Sequence, residues 1–339
     1  MATFAAGALG IDFDNLDLGP LATGSTTGMS GTSQEIRSNG IIVQFFGTGF
    51  QFAGSGPPTS GTINRIVVAT DAGLAYDITG LVLSAATFRG WVVAGDNAAA
   101  KAGIFGGSDS FVGSSLDDLI RGFSGADTLV TGVGADFADG GDGDDQVFVG
   151  AGNDTIVDPG GANYLRGDEG DDVIIGGVNF DDINGNMGND VLSGGNGDDW
   201  VVGGKDNDIV FGDDGNDLVY GNLGDDSCNG GNGNDTVRGG QGTDTLSGGS
   251  GNDFVSGDRG DDTMTGGAGA DIFHSSSDAG IDRVLDFSVA EGDRVQLDPG
   301  TTFSISQVGA DTVVQMSAGQ VVLVGISMSA LTAGSVFVG

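Results

Sequence analysis

An all-β chain organised around a parallel β-solenoid is the fold class this sequence predicts, and three observations carry the prediction. Across residues 104–274 an aspartate returns every nine residues, an apolar residue sits two places after each aspartate, and glycine crowds the positions just before it. A disordered Gly/Asp linker would keep neither the register nor the apolar position. The pattern divides the chain into a β-rich domain over 1–103, the repeat tract over 104–274 and a C-terminal β cap over 275–339.

Residues 1–103 carry none of the repeat. Ile41–Phe46, Phe50–Phe52, Ile63–Val68, Tyr76–Ile78, Leu81–Leu83 and Trp91–Val93 are short apolar or alternating runs, punctuated at Gly47, at Gly54-Ser55-Gly56-Pro57-Pro58 and at Gly80. Such runs between Gly and Pro breaks read as strands. Residues 84–88 and 97–103 are candidate short helices. The acids Asp12, Asp14, Asp17, Glu35, Asp71, Asp77 and Asp96 include enough carboxylates for a glycosidase pair. Most such acids are solvated surface groups.

In the tract, with the aspartate placed at position six of each unit, the series runs Asp109, Asp118, Asp127, Asp136, Asp145 and Asp154 and breaks once at Asn163. It resumes at Asp172 and continues through Asp181, Asp190, Asp199, Asp208, Asp217, Asp226, Asp235, Asp244, Asp253, Asp262 and Asp271. Position eight is as regular, from Phe111, Ile120 and Leu129 to Val255, Met264 and Phe273, with Cys228 as one of its members. Glycines at positions one, two and four are expected to supply positive φ and to leave carbonyls free to face a cation. The three residues that remain suit a strand, whose middle residue points inward while positions seven and nine point outward. Two turns and two strands close one coil of eighteen residues. The tract then makes about nine and a half coils, roughly 45 Å at one strand spacing per coil.

The unit Gly194-Gly195-Asn196-Gly197-Asp198-Asp199-Trp200-Val201-Val202 is similar to the nonapeptide of the repeats-in-toxin (RTX) family of calcium-binding proteins, whose G-G-x-G-x-D-x-U-x pattern it reproduces without a change. The resemblance implies a calcium-bound parallel β-roll. Its metal ligands would be Asp127, Asp136, Asp145, Asp154, Asp172, Asp181, Asp190, Asp199, Asp208, Asp217, Asp226, Asp235, Asp244, Asp253, Asp262 and Asp271. Stacking places alternate aspartates on one edge at a spacing of roughly 4.8 Å, where two unit charges repel by ~3.5 kcal/mol at an effective dielectric near 20. Such a stack calls for a counter-ion, and oxygen-only ligands favour calcium over zinc. Some units depart from the pattern: Asn163 after Asp158-Pro159, Asp206 at a fourth position, Phe180 at a fifth, and the glycine-poor units of Asp109 and Asp118. These are expected to be distorted or metal-poor.

After His274 the glycine rhythm stops. Ile281-Asp282-Arg283-Val284-Leu285-Asp286-Phe287 resembles the D-x-I-x-D-F stretch that closes many RTX tracts. Phe303–Val308, Thr312–Met316 and Val321–Val324 alternate as strands of a meander. The ending, Leu323–Leu331 with Val336-Phe337-Val338 at the tail, resembles the uncleaved C-terminal signal of type I secretion substrates and also suits a solenoid cap.

A net charge of −37 disfavours nucleic acid and anionic membrane surfaces as partners. No apolar run approaches the roughly 18 residues of a membrane span. The N-terminus lacks a basic signal-peptide region. The lone histidine, His274, excludes two-histidine metal sites, and no serine lies in a G-x-S-x-G elbow. Outward positions are unexpectedly apolar in the middle of the tract: Phe137, Val173, Val191, Ile209 and Phe211 on one face, Phe148, Tyr164, Trp200, Leu218 and Tyr220 on the other. The expected function is that of a secreted calcium-binding structural protein of the cell surface or extracellular matrix. It would be exported by type I machinery, fold on several calcium ions and associate with further copies through these strips. The alternative is a small secreted enzyme or glycan-binding adhesin module in 1–103, carried by the roll.

Overall fold

The structure, a computed structural model, describes residues 105–277 and 279–339 and, before them, residues 3–6, 25–29, 33–38, 41–51, 60–70 and 73–87. It separates into two compact units, Met1–Gly160 and Gly161–Gly339.

The first unit begins with an antiparallel sheet. Ser25–Met29, Ser33–Ser38, Ile41–Gln51, Ser60–Thr70 and Gly73–Ser84 pair in chain order. Val43, Phe45, Ile63, Ile66 and Val67 are its buried residues. Gly80 does not end the strand, because the runs around Tyr76 and Leu81 merge into one, but the pairing with Ser60–Thr70 shifts register there, between Thr79 and Leu83. Ser25–Met29 and Ser33–Ser38 were not foreseen, since neither S-T-T-G-M nor S-Q-E-I-R-S carries an apolar run. Residues 85–87 form one helical turn, while Trp91–Val93 and 97–103 lie outside the described residues. Thr3–Ala6 pairs antiparallel with Gly73–Ser84 and parallel with Ser110–Val112, so the meander runs directly into the first coil.

From there every pairing within the coils is parallel. In the first unit Ser110–Val112, Thr128–Val133 and Gln146–Ala151 form one wall, and Leu119–Arg121, Phe137–Asp139 and Thr155–Val157 form the other. The second unit repeats the arrangement. Tyr164–Glu169, Asp182–Met187, Trp200–Lys205 and Leu218–Leu223 stack in one wall. Val173–Val178, Val191–Asn196, Ile209–Asp214 and Ser227–Asn232 stack in the other. Within each unit the position-eight residues form the core, and none from Phe111 to Phe273 is more than 2% exposed. Cys228 is a buried free thiol among them, and burial pushes its pKa up.

Most strands run six residues rather than the expected three, as in Trp200–Lys205, because pairing continues through the first two glycines of the next unit. Strand alternation then carries position one inward, beside position eight. That orientation corrects the expected role of the first glycine. Positions two and four do take positive φ, as at Gly195 and Gly197, and Asn or Asp replaces glycine there at Asn179, Asn186, Asp206, Asp213, Asn222 and Asp258 while keeping the left-handed conformation. Position one is never left-handed between Gly167 and Gly266. Its glycine is needed for space.

Beyond Phe273 the walls continue into the cap. Ile281–Val284 and Arg294–Leu297 add parallel strands to the last coils. The expected meander forms, with Ser304–Val308, Asp311–Gln315 and Gln320–Leu323 antiparallel in sequence. Gln320–Leu323 docks parallel on Ile281–Val284, and the tail strand Val336–Val338 docks parallel on Arg294–Leu297. No helix among the described residues is long and apolar enough to cross a membrane.

Candidate metal centre: two ladders of buried aspartates

All the predicted aspartates are buried, none more than 3% exposed. Within each unit the position-six carboxylates turn back along the solenoid, and their Oδ1 atoms accept the backbone N–H of the position-six residue one coil earlier. In the second unit one edge runs Asp181, Asp199, Asp217, Asp235, Asp253 and Asp271, linked at 2.8–2.9 Å. The other runs Asp172, Asp190, Asp208, Asp226, Asp244 and Asp262 at 2.8–2.9 Å. In the first unit Asp109, Asp127 and Asp145 are linked in the same way, as are Asp118, Asp136 and Asp154.

The second carboxylate oxygen is left over. From Asp190 to Asp271 every position-six Oδ2 is buried without a hydrogen-bond partner. An unpaired buried carboxylate oxygen carries a desolvation cost that a native structure must offset. A methyl group built on Gly212 would stand 2.5 Å from Asp217 Oδ2 and 2.5 Å from the Gly230 carbonyl oxygen; on Gly194 it would stand 2.5 Å from Asp199 Oδ2 and 2.8 Å from the Gly212 carbonyl oxygen. Carboxylate and carbonyl oxygens thus converge beside a glycine whose missing side chain keeps the space next to them open, and such an oxygen set suits a hard cation. No point among the described residues gathers three or more His, Cys, Asp or Glu side chains. A cation here must draw most of its oxygens from the backbone, which suits a hard ion with a flexible shell and not zinc.

Burial, more than mutual repulsion, dominates the electrostatics. It raises the pKa of Asp199 to about 7, Asp208 to about 8 and Asp217 to about 6; the N–H bond from the preceding coil opposes the shift, and neighbouring carboxylates add a smaller upward push. Asp244 and Asp253 rise to about 7 for the same reasons. This corrects the expectation that repulsion between stacked charges is the leading cost.

The family model for the RTX calcium-binding nonapeptide repeat (4 copies) matches overlapping stretches that together cover residues 105–156 and 160–281, just over half of the chain. The chain belongs to that RTX family. RTX nonapeptide repeats bind multiple calcium ions, and the roll they form is a structural calcium-binding domain, not a catalytic one. RTX repeats typify secreted proteins. Among solved structures the chain is similar to the AlgE6R3 subunit of the Azotobacter vinelandii mannuronan C5-epimerase, at 28% identity over 36% of this chain and 80% of that one, with a TM-score of 0.27. It is also similar to the extracellular lipase LipA of Serratia marcescens, at 17% identity over 68% of this chain and 40% of the lipase chain, with a TM-score of 0.28. No curated protein matches the chain.

Within the RTX tract the cradles are not alike. Thr131 stands where Asp136 would have its glycine, and its hydroxyl donates to the Val149 carbonyl at 2.7 Å. Val149 stands at the same position for Asp154, fully buried. Ser114 N–H and Oγ both donate to Asp118 Oδ2, at 2.6 and 3.0 Å. Asp181, in the unit of Phe180, has its Oδ2 occupied by Gly177 N–H at 3.0 Å and its Oδ1 by Asn163 N–H at 2.9 Å. Asp206, in contrast, keeps the turn, with φ 73°.

Two features escaped the sequence reading. Exposed position-five residues form a second ladder of opposite sense: Asn216 N–H donates to Asp198 Oδ1, Asn234 N–H to Asn216 Oδ1 and Asn252 N–H to Asn234 Oδ1, at 2.8–2.9 Å. The buried ladders also outrun the tract, because Asp271 N–H donates to Asp293 Oδ1 at 3.0 Å and the strand register places Asp282 opposite Asp262. The repeated Asp-Arg-Val at 282–284 and 293–295 is the signal that could have found them, since it keeps the D-x-U spacing of the repeat.

One arrangement has catalytic residue types. Ser256 Oγ lies 3.1 Å from His274 Nδ1, and His274 Nε2 lies 3.2 Å from Asp298 Oδ1. Ser256 has no exposed surface and donates to Asp258 Oδ1 at 2.8 Å. A nucleophile sealed from solvent and committed to a second carboxylate cannot meet a substrate, so the row is a structural tie between the last coil and the cap.

Proposed function

We propose that this RTX protein is a secreted structural component of a cell surface or extracellular matrix, whose roll folds on calcium after export and then associates laterally with further copies. The three-part organisation into 1–103, 104–274 and 275–339 serves this reading, with the C-terminal part combining cap and type I export address. The calcium ligands are the Oδ2 atoms of the predicted position-six aspartates together with position-one carbonyls. Units with glycine at position one and an unpartnered Oδ2 provide the open cradles, so those of Asp136, Asp154 and Asp181 are the weakest members.

Lateral association rests on one observation. Val173, Val191 and Ile209 lie in register on three adjacent strands and are 38%, 38% and 43% exposed. Ile175 is exposed on the first of these strands as well. The same column continues as Ser227, Thr245 and Thr263, so the apolar stretch is not a general habit of the sheet. A contiguous apolar strip on an otherwise acidic surface marks an interaction site. The opposite wall is a poorer candidate despite exposed Tyr164, Trp200 and Leu218. There Asp182 separates Tyr164 from Trp200 and pairs with Arg166, whose guanidinium covers the Tyr164 ring. Phe137 and Phe148, in the first unit, are only half-exposed.

Replacing Val191 and Ile209 together by Asp is expected to abolish calcium-dependent growth in light scattering while leaving the far-ultraviolet spectrum unchanged. Trp200→Asp is expected to weaken it less. A wild type that stays monomeric at high concentration in calcium, or a double variant that assembles normally, would remove the proposal.

A further inference from the structure

The two buried ladders do not end where the nonapeptide ends. The coil after Asp262 lengthens to twenty residues, yet Asp282 arrives at the ladder position, and Arg283 and Val284 pair with Thr263 and Met264. Asp282 has no exposed surface; its Oδ2 accepts the Ser275 hydroxyl at 2.7 Å, and its Oδ1 is buried without a partner. Asp262 presents a second buried oxygen, its Oδ2, also without a partner. The two carboxyl groups lie within hydrogen-bonding reach of each other. Ser275, itself buried, stands eighteen residues after Gly257, where the tract would place a glycine.

We propose that the last cradle on this edge, that of Asp262, is completed from outside the nonapeptide tract by Asp282 and Ser275, forming a divalent-cation site that fastens the cap to the roll. Two unpartnered carboxylate oxygens enclosed together have no ion pair with Lys, Arg or His among the described residues. Their mutual repulsion in a dry chamber is offset by a dication, and an all-oxygen set of two carboxylates and a hydroxyl selects a hard one such as calcium. Asp293 differs in an instructive way. It continues the other ladder, but its Oδ2 already accepts Ser288 N–H at 2.7 Å, so the structure provides a terminal site on one edge only. A cation at Asp262 and Asp282 would hold Ile281–Val284, the strand on which Gln320–Leu323 docks.

The inference rests on the reading that the tract holds calcium, and the test separates the two. Crystals of the full chain grown in calcium are to be measured at a long wavelength where calcium scatters anomalously. A peak between Asp262 and Asp282, with peaks in the tract, is the expected result. Tract peaks with none at this pair would overturn the terminal site alone. No peaks anywhere would overturn the calcium reading and this site together. In solution, Asp282→Asn is expected to bind one calcium ion fewer per chain by equilibrium dialysis. An unchanged count in a folded variant contradicts the proposal, and if the variant does not fold, diffraction from the wild type decides.

Discussion

Stripped of metal, the chain is expected to be folded near pH 4 and unfolded at pH 8. The sign follows from the buried ladders. Their carboxyl groups, with an ordinary value of 3.8, are raised to about 6 at Asp190 and Asp217, about 7 at Asp199, Asp244 and Asp253, and about 8 at Asp208 and Asp262. Between 3.8 and those values the folded state holds protons that the unfolded chain has released, so stability falls as pH rises through the window. Below it the contribution is fully present. Acid should do little harm in return, because 48 acidic residues lose charge while only 11 Lys and Arg remain to repel one another. Protons and calcium are thus alternative ways of neutralising the same oxygens. Circular dichroism and size-exclusion chromatography of metal-stripped protein between pH 4 and 8 would check this. Stability that increased with pH in the absence of metal would contradict the assigned cause.

Gly212→Ala is expected to cost far more than an alanine substitution at an ordinary glycine. Its backbone is not left-handed, so alanine would meet no conformational objection there. What forbids it is the cradle: the new methyl would lie 2.5 Å from both Asp217 Oδ2 and the Gly230 carbonyl oxygen. Overpacking of this kind costs about 1–3 kcal/mol before any ion is lost. The displaced cation adds to that. Gly309→Ala serves as the control, because its φ is +65° but nothing lies within 4 Å of the new carbon. It should lose only the roughly 1–2 kcal/mol typical of a left-handed alanine, with no calcium ion lost. Thermal midpoints in saturating calcium, with a count of bound ions, read both effects. A Gly212→Ala chain with the full calcium complement and an unchanged midpoint would show that the cradle is not a cation site.

The core and the ladders were legible because each repeats at a fixed interval: Val201, Val210 and Val219 had to face inward once Asp199, Asp208 and Asp217 turned the chain. Less was readable where the period alone misleads. Gly212 looked like a turn glycine, and only strand pairing through it reveals that it faces the carboxylate. Thr131 and Val149 keep the period while each places a side chain where a cradle would be, which the period alone does not reveal. Asp282 and Asp293 were hidden by the longer coils that precede them, even though Asp-Arg-Val repeats the local pattern. The N-terminal strands Ser25–Met29 and Ser33–Ser38 form through pairing rather than through their own composition, which a propensity reading does not detect.

The most direct test is far-ultraviolet circular dichroism of the full chain at pH 7.5, first in excess chelator and then with calcium added back. The buried Oδ2 atoms cannot remain charged and unpaired at that pH, so a coil-like spectrum is predicted in chelator. It should convert to that of a β-sheet as calcium reaches roughly 10⁻⁴–10⁻³ M, the range of extracellular sites. An unchanged sheet spectrum in chelator would mean that the ladders close without a cation, and calcium could not then be what folds this chain.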